Sequence, residues 1–146
     1  MDRLRLRLEL EDLFAAYAAC LDDGELERWP EFFTDDCRYE IIPRENFERR
    51  LPLAVLRCES KGMLIDRVAA LRHLVSGVRI VGIEGGIVRA HANYAVLQTL
   101  SDEHTTIFNA GRYLDRVVRS DGVLKLAERL CVYDSVLVPG SLVYPI

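Results

Sequence analysis

The sequence predicts an α+β domain in which helices come first and a long antiparallel meander follows, curled into a cone. Three observations predict it. An apolar stripe at helical spacing opens the chain, a period of two takes over after Arg72, and glycine-bearing turns divide that second half into hairpins. The strands so marked are long for one small domain. Strands of that length must twist and curl, and the N-terminal helices then close the concave side.

The first helix is read over 5–22. Leu10, Leu13, Phe14, Tyr17 and Leu21 form one apolar face. Ala15, Ala16, Ala18 and Ala19 add helix propensity, and Asp22-Asp23-Gly24 ends it. A short second helix is read over 25–33, cut or restarted by Pro30, with Trp29, Phe32 and Phe33 as core anchors. Thr34-Asp35-Asp36 reads as a turn. Strands follow at Cys37–Ile42 and about Leu51–Cys58, joined by the polar stretch Pro43–Arg50. Ser60 is placed to cap a third helix, 61–72, with Met63, Leu64, Val68 and Leu71 on one side.

His73–Ile83 and Ile87–Leu100 flank Glu84-Gly85-Gly86, a hairpin signal. Val88, Ala90, Ala92, Tyr94 and Val96 share one face, with Arg89, His91 and Asn93 on the other. Thr105–Arg119 and Val123–Leu137 form a second hairpin across Ser120-Asp121-Gly122. Leu124, Leu126, Leu130 and Val132 alternate toward one side. Glu128 falls in register with them, so it is expected to pair with Arg112 or Arg116 of the neighbouring strand. The outer sheet face, read as carrying His91, Val75 and Leu97, mixes apolar and polar groups as subunit interfaces do. The sheet is thus drawn from 37–58 and 73–138, with a tail at 139–146, all in one domain spanning 1–146.

A chain of 146 residues builds a core without staples. Half of it is apolar and 29% charged, an ordinary globular mixture that excludes disorder and fibrous repeats. Net charge is −4 with no basic stripe, which argues against nucleic acid. No apolar run reaches the ~20 residues of a membrane span. The start, Met1-Asp2-Arg3-Leu4-Arg5, has no long apolar region of the secretory kind, so a cytoplasmic protein is expected. Cys20, Cys37, Cys58 and Cys131 are scattered and read as buried reduced thiols. His73, His91 and His104 show no metal-ligand spacing. Neither a phosphate loop nor a nucleophile motif is present.

Three stretches carry a family resemblance. They are Pro43–Arg49 with Leu51-Pro52-Leu53-Ala54 and Cys58–Val68; then Phe108-Asn109-Ala110-Gly111-Arg112-Tyr113-Leu114-Asp115; then Cys131-Val132-Tyr133-Asp134-Ser135, Val138-Pro139 and Ser141–Ile146. In this order, over nearly the whole chain, they resemble the small (beta) subunit of aromatic-ring-hydroxylating oxygenases, with a lean toward the branch acting on aromatic acids. The resemblance implies a nuclear-transport-factor-2-like cone and a non-catalytic, structural subunit. It implies a large alpha subunit carrying a Rieske [2Fe–2S] cluster and a mononuclear non-haem iron, no cofactor in this chain, and an α3β3 hexamer or a beta trimer. It makes Arg44, Glu45 and Asn46 subunit contacts. Tyr144 and Ile146, in an apolar tail, are expected to dock on the chain's own sheet or a neighbour.

The same fold hosts stand-alone isomerases, dehydratases and cyclases, which is the rival expectation. Its acid–base candidates are Tyr17, Asp35, Asp36, Asp66, His73 and His91. One join departs from the family. Resembling subunits usually carry some dozen or more residues between the helix ending at Arg72 and the strand starting at His73, and here the two abut. Such connections take ~2–6 residues, so a loop passed over between Arg72 and His73 is favoured over a true deletion.

Overall fold

The computed structural model describes residues 2–54, 56–59, 71–99, 104–134 and 146. Helix α1 (Arg3–Asp22) is capped by the Asp2 carboxylate, which accepts from the Leu4 N–H. A single 3₁₀ turn (Trp29–Phe32) leads into strand β1 (Phe33–Pro43). A short helix α2 (Arg44–Glu48) and strand β2 (Leu56–Cys58) follow. The long strands are β3 (Leu71–Glu84), β4 (Ile87–Gln98), β5 (Thr106–Ser120) and β6 (Val123–Tyr133).

These form one sheet in the order β2-β1-β6-β5-β4-β3. Every pairing is antiparallel except β1 with β6. Both long hairpins turn on two residues with positive φ, Gly85-Gly86 and Asp121-Gly122. That is the turn whose twist matches the strands.

Helix α1 lies across one face and buries Leu6, Leu10, Phe14, Tyr17, Ala18, Cys20 and Leu21. The sheet reaches around it from two sides. On the β3 side, Arg3 donates to the Ile80 carbonyl at 2.9 Å. On the β5 side, Arg119 pairs with Glu9. The inward residues of β4 are Val88, Ala90, Ala92, Tyr94 and Val96, as the alternation predicts.

Several boundaries differ from the sequence reading. The helix drawn over 61–72 does not reach Arg72, because Leu71 and Arg72 already pair with Gln98 and Leu97 in β3. Residues 60–70, including Asp66, lie outside the described residues. The Arg72–His73 bond therefore sits inside a continuous ladder, with His73 opposite Val96, and no connector falls there. The helix read over 25–33 is only the Trp29–Phe32 turn. Asp35 and Asp36 are exposed within β1 rather than in a turn. Among the described residues of the strand read over 51–58, Leu56–Cys58 forms and Leu51–Ala54 does not. Pro43–Arg50 is not a plain loop but contains α2. Val75 lies directly opposite Tyr94, so it belongs to the inner face and packs against the core.

Candidate functional site

A buried charge sits where the interior is most apolar. In β6, Ala127 is an extra residue: Val117 pairs with Leu126, but Arg116 already pairs with Glu128. Such a bulge inverts the in–out alternation beyond it. Leu126 and Arg129 both point inward, while Glu128 turns outward to Arg116 at 4.0 Å and Arg38 at 3.9 Å. Glu128 thus finds an arginine partner of the expected kind, on the opposite face from the one expected.

Arg129 is fully buried. Its Nε and Nη2 meet the two oxygens of Asp115, directly across the ladder, at 3.0 and 2.7 Å. Its Cζ lies 4.7, 4.3 and 3.9 Å from the ring centres of Phe14, Tyr17 and Tyr113. Ring faces compensate a desolvated cation. They explain how Nη1, which has no hydrogen-bond acceptor among the described residues, is tolerated. Burial pushes the Asp115 carboxyl up against the pull of Arg129. Burial also opposes the charge on Arg129, and the charge and hydrogen bonds of Asp115, with Tyr17 and Tyr113 adding, together outweigh it. The two-pronged geometry is that of a guanidinium on a carboxylate.

Beside this pair lies Ile146, itself fully buried. Its main-chain oxygen accepts from the Tyr17 hydroxyl at 3.0 Å, the Tyr39 hydroxyl at 3.1 Å and the Cys131 thiol at 3.5 Å. Its N–H donates to the Tyr39 oxygen at 3.0 Å. Burial raises all three titrating groups, the Cys131 thiol to about 12, so each keeps its proton and stays a donor. Tyr94 stacks on Tyr113 at 4.5 Å and donates to Asn109.

A cleft of about 640 Å³ opens between α1 and β3, lined by Phe14, Ala15, Ala18 and Ala19 on the helix and by Arg72–Val78 on the strand. At its edge Asp22 Oδ1 accepts from the His73 main-chain N–H at 2.7 Å and lies 2.8 Å from ring Nδ1. The pair ties the end of α1 to the start of β3.

The other expected residues do not join a common site. Tyr17 is core, Asp35 and Asp36 are exposed, and His91 lies on the outer face opposite Leu114. Among the described residues no three of His, Cys, Asp and Glu converge in a way that could hold a metal ion. All four cysteines are buried and none is in a disulfide. Arg44, Glu45 and Asn46 are on the surface in α2; Arg44 pairs with Asp134, Glu45 with Arg49, and Asn46 donates to the Leu53 carbonyl. Tyr144 lies outside the described residues, and Ile146 is in the chain's own core rather than on a surface. Among the described residues no helix is long and apolar enough to cross a membrane.

A family model described as a SnoaL-like domain matches residues 2–130. The chain is 39% identical to the anthranilate 1,2-dioxygenase small subunit of Burkholderia cepacia, over 89% of this chain and 88% of that one. It is 32% identical to the beta 2 subunit of the terephthalate 1,2-dioxygenase terminal oxygenase component from a Comamonas species, over 90% and 93%. Among solved structures, it resembles the beta subunit assigned to an aromatic-ring-hydroxylating dioxygenase of Novosphingobium aromaticivorans. There the TM-score is 0.92 at 44% identity, with full coverage of both chains.

Proposed function

The chain belongs to the SnoaL-like domain family and, within it, to the small (beta) subunits of aromatic-ring-hydroxylating dioxygenases, and on that premise we propose that it is the non-catalytic support of an iron-carrying large subunit. The observation that carries the non-catalytic half is the filled interior. Arg129, Asp115 and Ile146 fill the core beneath the middle of the sheet and leave little or no surface to a substrate, and the cleft that remains between α1 and β3 has at its edge the Asp22–His73 pair, which ties those two elements together.

The donor set agrees. A Rieske centre takes two Cys and two His, and a mononuclear iron takes two His and a carboxylate. Here His73 is held by Asp22 and His91 lies on the opposite face of the sheet. These residues do not fit either centre, so iron, dioxygen and electrons are handled on the large subunit.

The stand-alone enzyme is set aside. Likeness to small subunits extends over 89% of the chain at 39% identity and over all of it at 44%, and the acid–base candidates do not converge. The assembly we propose is a beta trimer beneath three alpha subunits in the cytoplasm. The relatives named for anthranilate and terephthalate favour an aromatic acid as the complex's substrate. Arg44, Glu45 and Asn46 remain the proposed contacts, since α2 presents them outward.

Co-expression with the large subunit tests this. The two chains should co-purify, with iron and ring hydroxylation found only in the complex. Stoichiometric iron or zinc in the folded small chain alone, or turnover by it, would refute the proposal.

A further inference from the structure

The interior holds more polar chemistry than a core requires. Tyr17 comes from α1, Tyr39 from β1 and Cys131 from β6, and their polar atoms converge on one residue. Burying a hydroxyl without a partner costs about 1–3 kcal/mol. Both hydroxyls donate to the main-chain oxygen of Ile146. The Tyr39 oxygen serves twice, as acceptor for the N–H and as donor to the carbonyl oxygen of the same residue. Both main-chain polar groups of Ile146 are therefore read, while its side chain belongs to the apolar cluster. Arg129 supplies positive potential to the same interior, and its Nη1 has no acceptor among the described residues.

We propose that the interior of the cone is a recognition site for an N-acylated, branched aliphatic residue, that Ile146 is its resident ligand, and that the vacated site takes the same chemical class in trans. The arrangement is that of a binding site: donors and an acceptor from three separate elements, aimed at the main-chain N–H and oxygen of one residue, in an apolar surround. It does not depend on the subunit reading above.

The test uses a chain lacking Ile146 and the probe N-acetyl-L-isoleucine, whose acetyl group stands in for the preceding acyl carbon. The probe should raise the melting temperature of the shortened chain saturably and leave the intact chain unmoved. N-acetylglycine, which keeps the polar atoms but not the branched side chain, should bind about tenfold weaker or less. Absence of a saturable shift, or an equal shift in the intact chain, overturns the proposal. Should the shortened chain not fold, Tyr39→Phe in the intact chain gives the second reading. It removes the acceptor of the Ile146 N–H, and hydrogen exchange at that amide should quicken about tenfold. Unchanged exchange there overturns the proposal equally.

Discussion

Arg129 is held by one carboxylate and three rings, and the consequence is asymmetric. Replacing it with Met leaves Asp115 buried without its partner, which costs about 3–5 kcal/mol. Replacing both, as Arg129→Met with Asp115→Leu, removes the orphaned charge and should recover most of that loss. Denaturant titration of the single and double variants checks this; a double variant no more stable than the single one refutes the account. His91 carries a second expectation. Burial, then the charge of Arg79 on β3, hold its pKa below the ordinary 6.5, with Arg112 adding and Asp115 opposing. The folded chain thus resists a proton that the unfolded chain accepts more readily. Stability is intact at neutral pH and declines as pH falls through the ordinary imidazole value. His91→Gln should flatten that acid-side decline in melting temperature measured from about pH 7.5 to about pH 5. At this scale the sequence was half legible. Glu128 drew notice because it continued an apolar alternation. Arg129 did not, because the one-residue bulge at Ala127 that turns it inward leaves no mark in the hydrophobic pattern.

Elements whose signals are local were read correctly, and those that depend on tertiary partners were not. Gly85-Gly86 and Asp121-Gly122 supply the positive φ their hairpins need, so both turns were visible in the sequence. Leu71 satisfied a helical spacing with Leu64 and Val68, yet it is buried in β3, and burial alone does not distinguish the two. Helix α2 has only five residues, too few to show a period. Two substitutions test how elements are joined. Asp22→Ala strips the acceptor from the His73 N–H and should cost about 1–3 kcal/mol in thermal or denaturant unfolding. Gly111→Ala is harsher in kind. Its Cβ would stand 2.1 Å from the Val132 carbonyl oxygen and 2.7 Å from the Tyr133 Cα, both backbone atoms of the paired strand. The β5–β6 ladder must part locally to admit it, so a loss of at least the ~1–3 kcal/mol of ordinary overpacking is expected. A Gly111→Ala chain as stable as the parent would show that the ladder yields more easily than its geometry implies.

The whole molecule has two faces of different character. Its concave face is filled at the centre by α1, the tyrosines, Arg129 and Ile146, and opens at the cleft beside β3. A tail docked on a neighbour would act on assembly more than on folding, but Ile146 lies wholly inside the chain's own core. Its removal should therefore lower the melting temperature first. The convex face is the one we propose for assembly. Across β4, β5 and β6 the register sets His91 beside Leu114 and Leu114 beside Leu130, a half-buried row on the outer surface. The next row sets exposed Asn93 beside half-buried Arg112. Apolar groups interleaved with polar ones in this way suit a subunit contact, and a heterologous contact that closes makes a ring. The intact chain should accordingly scatter light at three times its 16.7 kDa mass. Leu114→Arg places a charge in the middle of the first row, facing out of the sheet, where the isolated domain loses little. It should reduce the scattering mass to that of a single chain while leaving the far-ultraviolet circular dichroism unchanged. A monomeric parent at micromolar concentration would overturn the trimer, and a Leu114→Arg variant that still assembles would move the interface off this face and toward the surface that carries Arg44, Glu45 and Asn46.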